Sequence, residues 1–202
     1  MLTGTQEQIL ASLVSHPEEQ PTIRGIAKRL GKSYTLVYNN ISDLEKKGII
    51  VKHDVPPAQI ITLNEFAPDS VVVHIELKRK YEFLKRHPWI EVMLQDILSS
   101  AGHPFFILLV FGSYAKEEMT AKSDLDLLFV LPDKKSTADM EKAAEKAFTK
   151  VKKGVTVVGM DDFTEMISNP NRLNVGNEAR KHHIILYGIE AYHQLITGAL
   201  AK

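Results

Sequence analysis

The chain has 202 residues with 25 basic and 25 acidic side chains, so its formal charge is zero and nothing marks it as a generic polyanion binder. That length suits two domains, and the hydrophobic and charged fractions, 44% and 25%, are ordinary for globular protein. There is no cysteine, which excludes disulfides and thiolate metal sites and fits a cytoplasmic setting. No N-terminal stretch reads as a signal peptide. The most apolar run, Phe105 to Phe111, falls far short of the roughly 20 residues that span a bilayer, so no membrane partner is expected.

In chain order, Thr5 to Ser15 sets Ile9, Leu10, Leu13 and Val14 at helical spacing, and His16-Pro17 ends that helix. Thr22 is a good cap for a second helix with Ile23, Ile26, Ala27 and Leu30 inward, and Gly31 supplies a sharp turn. Ser33 can cap a third helix, with Val37, Ile41 and Leu44 inward, which Gly48 terminates. Ile49 to His53 and Gln59 to Leu63 then read as a β-hairpin across Asp54 to Pro57. Between Thr22 and His53, seven basic residues face only Asp43 and Glu45, a local excess of five positive charges.

Asn64 to Ser70 reads as a linker. A charged helix from Val71 to Arg86 and a helix from Pro88 to about Ser100 follow. The pattern then alternates strand and helix. Phe105 to Phe111 is a strand, Ser113 to about Met119 a helix, and Asp124 to Leu131 a strand. Thr137 to Val151 is a helix with Met140, Ala143, Ala144, Ala147, Phe148 and Val151 on its apolar side. Val155 to Met160 is a strand, Asp161 or Asp162 caps a short helix, and Asn169-Pro170 closes it. A helix near Asn177 to His182, a strand from His183 to Tyr187 and a final helix from Ile189 end the chain. The expected division is 1–66, a helical spacer at 67–101, and 102–202.

The first three helices, the glycine turn between the second and third, and the hairpin resemble the winged helix-turn-helix family over about residues 3–63. With Val37, Ile41 and Leu44 inward, Tyr34, Thr35, Tyr38 and Asn39 face outward. Hydroxyls, an amide and two aromatics suit a major-groove helix in double-stranded DNA. Lys32, Ser33, Lys46, Lys47 and Lys52 would approach the phosphates. A docking or dimerisation module is the alternative. Gly31-Lys32-Ser33 has the ending of a phosphate loop. The required earlier glycine is Ile26, however, and no strand precedes it.

The segment Phe111-Gly-Ser-Tyr-Ala-Lys-Glu-Glu-Met-Thr-Ala-Lys-Ser-Asp-Leu-Asp-Leu-Leu-Phe-Val130 carries the chemistry. A strand running into Gly112-Ser113 lets a phosphate approach the backbone, where the serine hydroxyl and helix-start amides donate to it. Asp124 and Asp126, two apart on a strand, point the same way, while Leu125, Leu127 and Phe129 point into the core. Such a pair repels unless a cation neutralises it, and hard oxygen ligands suit Mg2+ or Mn2+. This arrangement resembles the DNA polymerase β-like nucleotidyltransferase superfamily, most of all its minimal prokaryotic members, over roughly 88–196. The resemblance implies an α+β chain with a small mixed sheet in its second domain. It also implies transfer of a nucleoside monophosphate from a nucleoside triphosphate to an acceptor hydroxyl. Ser113, with Gly112, Lys116 and Ser123, would hold phosphate, and Asp124 and Asp126 the metal.

The resemblance breaks in two places. Relatives carry a third carboxylate on the next strand, where this chain has Thr156, and often Arg-Gly where it has Lys116-Glu117. Losing a base commonly costs about 10²–10⁴-fold in rate. A regulator whose second domain no longer catalyses is therefore one alternative. An antitoxin-type protein with a toxin-like partner is another. The helices from Val71 to Ser100 are also placed to act as a homodimer spacer.

Overall fold

Thr3, Thr22 and Ser33 each cap a helix. The Thr3 hydroxyl accepts from the Gln6 N–H, and the Gln6 side chain returns to the Thr3 N–H, at the start of α1 (Gly4–Ser15). Thr22 and Ser33 accept from the N–H groups of Gly25 and Leu36, opening α2 (Ile23–Leu30) and α3 (Tyr34–Lys46). Each cap typically contributes about 1 kcal/mol. Gly31, at φ 62°, closes α2 in the left-handed conformation that glycine adopts without strain. Strands β1 (Ile50–Val55) and β2 (Ala58–Leu63) pair antiparallel from Ile50↔Leu63, and a bridge between Thr22 and Ile60 ties the wing to the start of α2. Ile9, Leu10, Ile26, Val37, Ile41, Leu44 and Ile61 are fully buried at the centre. This unit is a winged helix-turn-helix.

This computed structural model describes residues 1–17, 19–102 and 104–200. They fall into two compact units, Met1–Glu76 and Leu77–Lys202, with the division inside α4 (Asp69–Arg86). Val71 and Ile75 belong to the first core; Phe83 and Leu84 belong to the second.

In the second unit, α5 (Pro88–Ser100) has proline in its first turn. Next come β3 (Ile107–Phe111), α6 (Gly112–Ala115), β4 (Leu125–Leu131) and α7 (Thr137–Lys146). Then β5 (Lys153–Gly159), α8 (Met160–Ser168), α9 (Val175–Lys181), β6 (Ile184–Tyr187) and α10 (Ile189–Leu200) complete it. The sheet order is β5-β4-β3-β6, antiparallel except for the β4–β5 pair, which α7 connects. Leu125, Leu127, Phe129 and Leu131 face one core with Leu108 and Val110, under Ile90, Met93 and Ile97 of α5 and Met140 and Ala144 of α7. Phe163, Ile167 and Ala179 are buried outside that cluster, on helices that pack against β3 and β4. The whole is α+β, with a small mixed sheet in the second unit.

Three expected elements end differently. The helix after Ser113 stops at Ala115, because Glu117 takes a left-handed φ of 59°. The helix from Thr137 stops at Lys146 and leaves Val151 off it. The Lys153 ammonium takes the end carbonyls of Ala144 and Ala147, Asp96 accepts the Phe148 N–H, and Phe148 is 46% exposed. Neither Asp161 nor Asp162 caps α8. The strand stops at Gly159, one residue short of the expected end, and Gly159 holds the capping position, so both acids lie in the first turn, where the helix dipole still favours them.

Candidate functional site

The site is built where β3 ends beside the start of β4. Phe111, the last residue of β3, pairs across the ladder with Asp126. The chain then turns through Gly112 at φ 68° into α6. Tyr114, 6% exposed, anchors that turn in the core, with the rings of His87 and Trp89 edge-on at 5.5 and 6.3 Å. Ser113 is thereby held half-buried at the strand end, its hydroxyl without a hydrogen-bond partner among the described residues.

Alternation along β4 puts Asp126 on the face opposite Leu125 and Leu127. Its carboxylate lies between two glycines. A Cβ on Gly112 would overlap Asp126 Oδ2, and one on Gly154 would lie 2.9 Å from Asp126 Oδ1. Gly154 is the parallel partner of Asp126, and Thr156 lies two residues along, opposite Leu128. Neither position beside Asp126 on β5 therefore offers a third carboxylate. Among the described residues no group of three or more metal-ligating side chains is gathered anywhere.

The two aspartates differ in their surroundings. Asp124 Oδ2 accepts from Lys152 Nζ at 3.1 Å. Asp126 makes no ion pair or side-chain hydrogen bond among the described residues. Burial, and then the charge of Asp124, push its carboxyl above the usual aspartate range. A half-buried carboxylate without a partner, in a space kept clear by two glycines, fits a hard divalent cation shared with Asp124.

The other nominated phosphate contacts divide. Lys116 is exposed at the open end of α6. Ser123 instead closes a turn: its hydroxyl accepts the Thr120 N–H at 2.8 Å, and its own N–H donates to the Thr120 carbonyl at 3.0 Å. Glu117 explains the glycine expected at that place. It holds a left-handed backbone with a full side chain and ion-pairs to Arg86 at 2.6 Å. His183 is a core residue, 4% exposed, with Nδ1 2.9 Å from the Ala179 carbonyl. Lys152, Gly154 and Arg86 escaped the sequence reading. Only the β4–β5 register brings the first two to the aspartates, and no local pattern encodes it.

In the first unit, Tyr34, Thr35, Tyr38 and Asn39 are all exposed on α3, with the two tyrosine rings stacked at 6.0 Å. Leu36 is exposed with them, at 43%. Two of the lysines nominated for phosphate are engaged locally. Lys47 pairs with Asp43 at 2.7 Å, and Lys52 pairs with Glu45 at 2.6 Å beneath the ring of Tyr38. Lys46 makes no ion pair among the described residues, and the Ser33 hydroxyl accepts the Leu36 N–H as the cap of α3.

Residues 107–181, which lie within the second unit, match the family model of the nucleotidyltransferase domain. No curated protein matches the chain. Among solved structures, the S. aureus MepR–DNA complex is similar at 23% identity and a TM-score of 0.35, covering 49% of this chain and 80% of that one. A MepR mutant from a multidrug-resistant S. aureus clinical isolate aligns at 23% identity and 0.34, covering 50% of this chain and 80% of that one. MepR itself, described as a transcription regulator of the S. aureus multidrug efflux pump MepA, aligns at 23% and 0.34, covering 49% and 79%. Among the described residues no helix is long and apolar enough to cross a membrane.

Proposed function

We propose that the second unit binds a nucleoside triphosphate with Mg2+ or Mn2+ at Gly112, Ser113, Asp124 and Asp126, and transfers the nucleoside monophosphate to an acceptor hydroxyl. The observation that carries this reading is the Phe111↔Asp126 pairing. It sets the Gly112-Ser113 turn beside the carboxylate of an aspartate that has no ion pair or side-chain hydrogen bond among the described residues. Asp124 and Asp126 would hold the metal, which supplies charge stabilisation for in-line displacement at phosphorus. Gly112 admits the phosphate chain to the backbone, the Ser113 hydroxyl donates to its outer oxygens, and Lys116 faces them from solvent. The acceptor oxygen bonds to the α-phosphorus as the bond to the bridging oxygen breaks. Pyrophosphate leaves with that electron pair, and the hydroxyl proton passes to water.

A transfer assay tests this. The protein is mixed with each α-labelled triphosphate, Mg2+ or Mn2+ and a lysate of acceptors, beside an Asp124→Ala/Asp126→Ala variant. Label transferred by the native protein and not by the variant supports the enzyme. One observation favours a second reading, a regulator whose nucleotide domain is catalytically weakened: the third carboxylate is missing at both Gly154 and Thr156. Metal-dependent nucleotide binding without transfer would select it.

The first unit, in either reading, is proposed to bind double-stranded DNA. Tyr34, Thr35, Tyr38 and Asn39 would meet base edges, and Lys32, Ser33, Lys46, Lys47 and Lys52 the phosphates. The exposure of the four α3 side chains supports this. Selection of bound sequences from a random duplex pool tests it; no enrichment, with affinity no better than for scrambled duplex, would remove it.

A further inference from the structure

Asp124, one residue ahead of β4, and Asp126 within it are two carboxylates at one strand end that favour positive charge. Part of it comes from the chain. The Leu125 N–H donates to the Lys152 carbonyl at 2.8 Å, which fixes the Lys152 main chain beside the aspartate strand, one residue ahead of β5. From there the ammonium reaches Asp124 Oδ2 at 3.1 Å. The next positions on Asp126's side of β5 are Gly154 and Thr156, which add no negative charge. Asp124, Asp126 and Lys152 together thus carry a single net negative charge before nucleotide binds, and β5 adds no third carboxylate to complete the ligand set of a second divalent ion. The lysine side chain is 82% exposed and has room to turn.

We propose that Lys152 stands in for a second divalent ion beside the aspartate pair, so that this site takes one divalent ion and Lys152 turns from Asp124 to the phosphate chain when it binds. This rests on the metal–nucleotide reading above. Lys152 holds substrate and sets the metal count; it accepts no proton and forms no covalent bond.

The test titrates the full chain with Mn2+, reading free ion by electron paramagnetic resonance, with and without the α,β-methylene analogue of ATP. One Mn2+ per bound nucleotide is expected. Lys152→Met should tighten Mn2+ binding in the absence of nucleotide, because a competing cation is gone, and weaken analogue binding, each by about threefold to fivefold as befits an exposed ion pair. A merely structural role would move both affinities the same way. Lys152→Arg should restore native values, and Lys152→Glu, which supplies a third carboxylate, should raise the count to two. Two Mn2+ in the native complex, or a Lys152→Met variant with unchanged affinities, would overturn the assignment of Lys152 while leaving the site itself standing. If the native chain binds no more Mn2+ than an Asp124→Asn/Asp126→Asn variant, the metal–nucleotide reading falls and takes this one with it.

Discussion

The two units treat charge in opposite ways. Around the third helix of the winged unit, Lys47 and Lys52 are matched by Asp43 and Glu45 of the same unit. Hydrogen bonds from Lys47 and Gln6 hold the Asp43 carboxyl below its ordinary range. In the second unit, Asp126 is half-buried with no such partner among the described residues, and its carboxyl is pushed up. A neutralised charge is part of the architecture. An unneutralised one in a partly buried place destabilises the empty protein and favours an arriving counter-ion, which is how a strained group comes to mark a site. Asp126 in the second unit, and Lys46 in the first, which makes no ion pair among the described residues, are therefore the charges to test.

The largest effect should come from Asp126→Asn. Amide nitrogen and oxygen replace the charge without changing size, so the fold should persist while metal-dependent nucleotide binding and any transfer fall by at least about a hundredfold. Labelled-nucleotide binding with and without Mg2+ reads this, and native-like binding would break the contrast between the units. Next is Gly112→Ala. The left-handed backbone alone costs about 1–2 kcal/mol for a residue with a Cβ, and that Cβ would displace the Asp126 carboxylate. Nucleotide affinity should fall about tenfold to a hundredfold, more than the backbone strain alone would give through stability. A lower melting temperature with unchanged nucleotide affinity would show that the close approach of Gly112 to Asp126 has no part in binding.

The first unit can be put to a matching test. If DNA is its ligand, Lys46→Ala should lower the slope of log affinity against log salt by about one unit. Lys47→Ala should lower it less, because Asp43 already shares that ammonium. Fluorescence anisotropy on one duplex at several salt concentrations measures both. Equal slopes for the two variants would mean that the pairing seen here does not persist on DNA.

The winged unit was legible nearly to the residue because its signals are local. Thr22, Gly31 and Ser33 act within four residues of themselves, and the apolar spacing of Val37, Ile41 and Leu44 needs only helical periodicity. The side of Asp126 was legible for a related reason, because a strand's alternation sorts carboxylate from core, whereas Asp124, expected on the strand, lies one residue ahead of it. What the sequence hid depends on partners far along the chain. Lys153 ends α7 by reaching back to Ala144 and Ala147, so the apolar run through Val151 overstated the helix. Lys152 and Gly154 meet the aspartates only through the β4–β5 ladder. Glu117 shows the limit from the other side. A non-glycine residue gave no warning of its left-handed backbone, though the glycine expected there from the family resemblance was the one available hint.

The smallest effect concerns His87, whose ring lies 4.8 Å from that of Phe83 and 5.5 Å from that of Tyr114, the residue after Ser113. Burial first, then Arg86, hold its imidazole below the ordinary 6.5, with Glu117 working weakly against them. A base whose folded-state pKa is depressed takes its proton more readily in the unfolded chain. Its contribution to stability is therefore complete above about pH 6.5 and is lost as pH falls from there towards the lower folded-state value. The melting temperature of the native protein should drop more steeply between pH 7 and pH 5 than that of His87→Gln, which cannot titrate. The difference between the two curves is the readout, because the other histidines contribute equally to both. Since His87 packs on the residue that anchors Ser113, the same acid range should weaken nucleotide binding in the native protein more than in the variant. Parallel curves would mean that the imidazole takes up its proton alike in the folded and unfolded chains, and that the contacts with Phe83 and Tyr114 do not shield it from water.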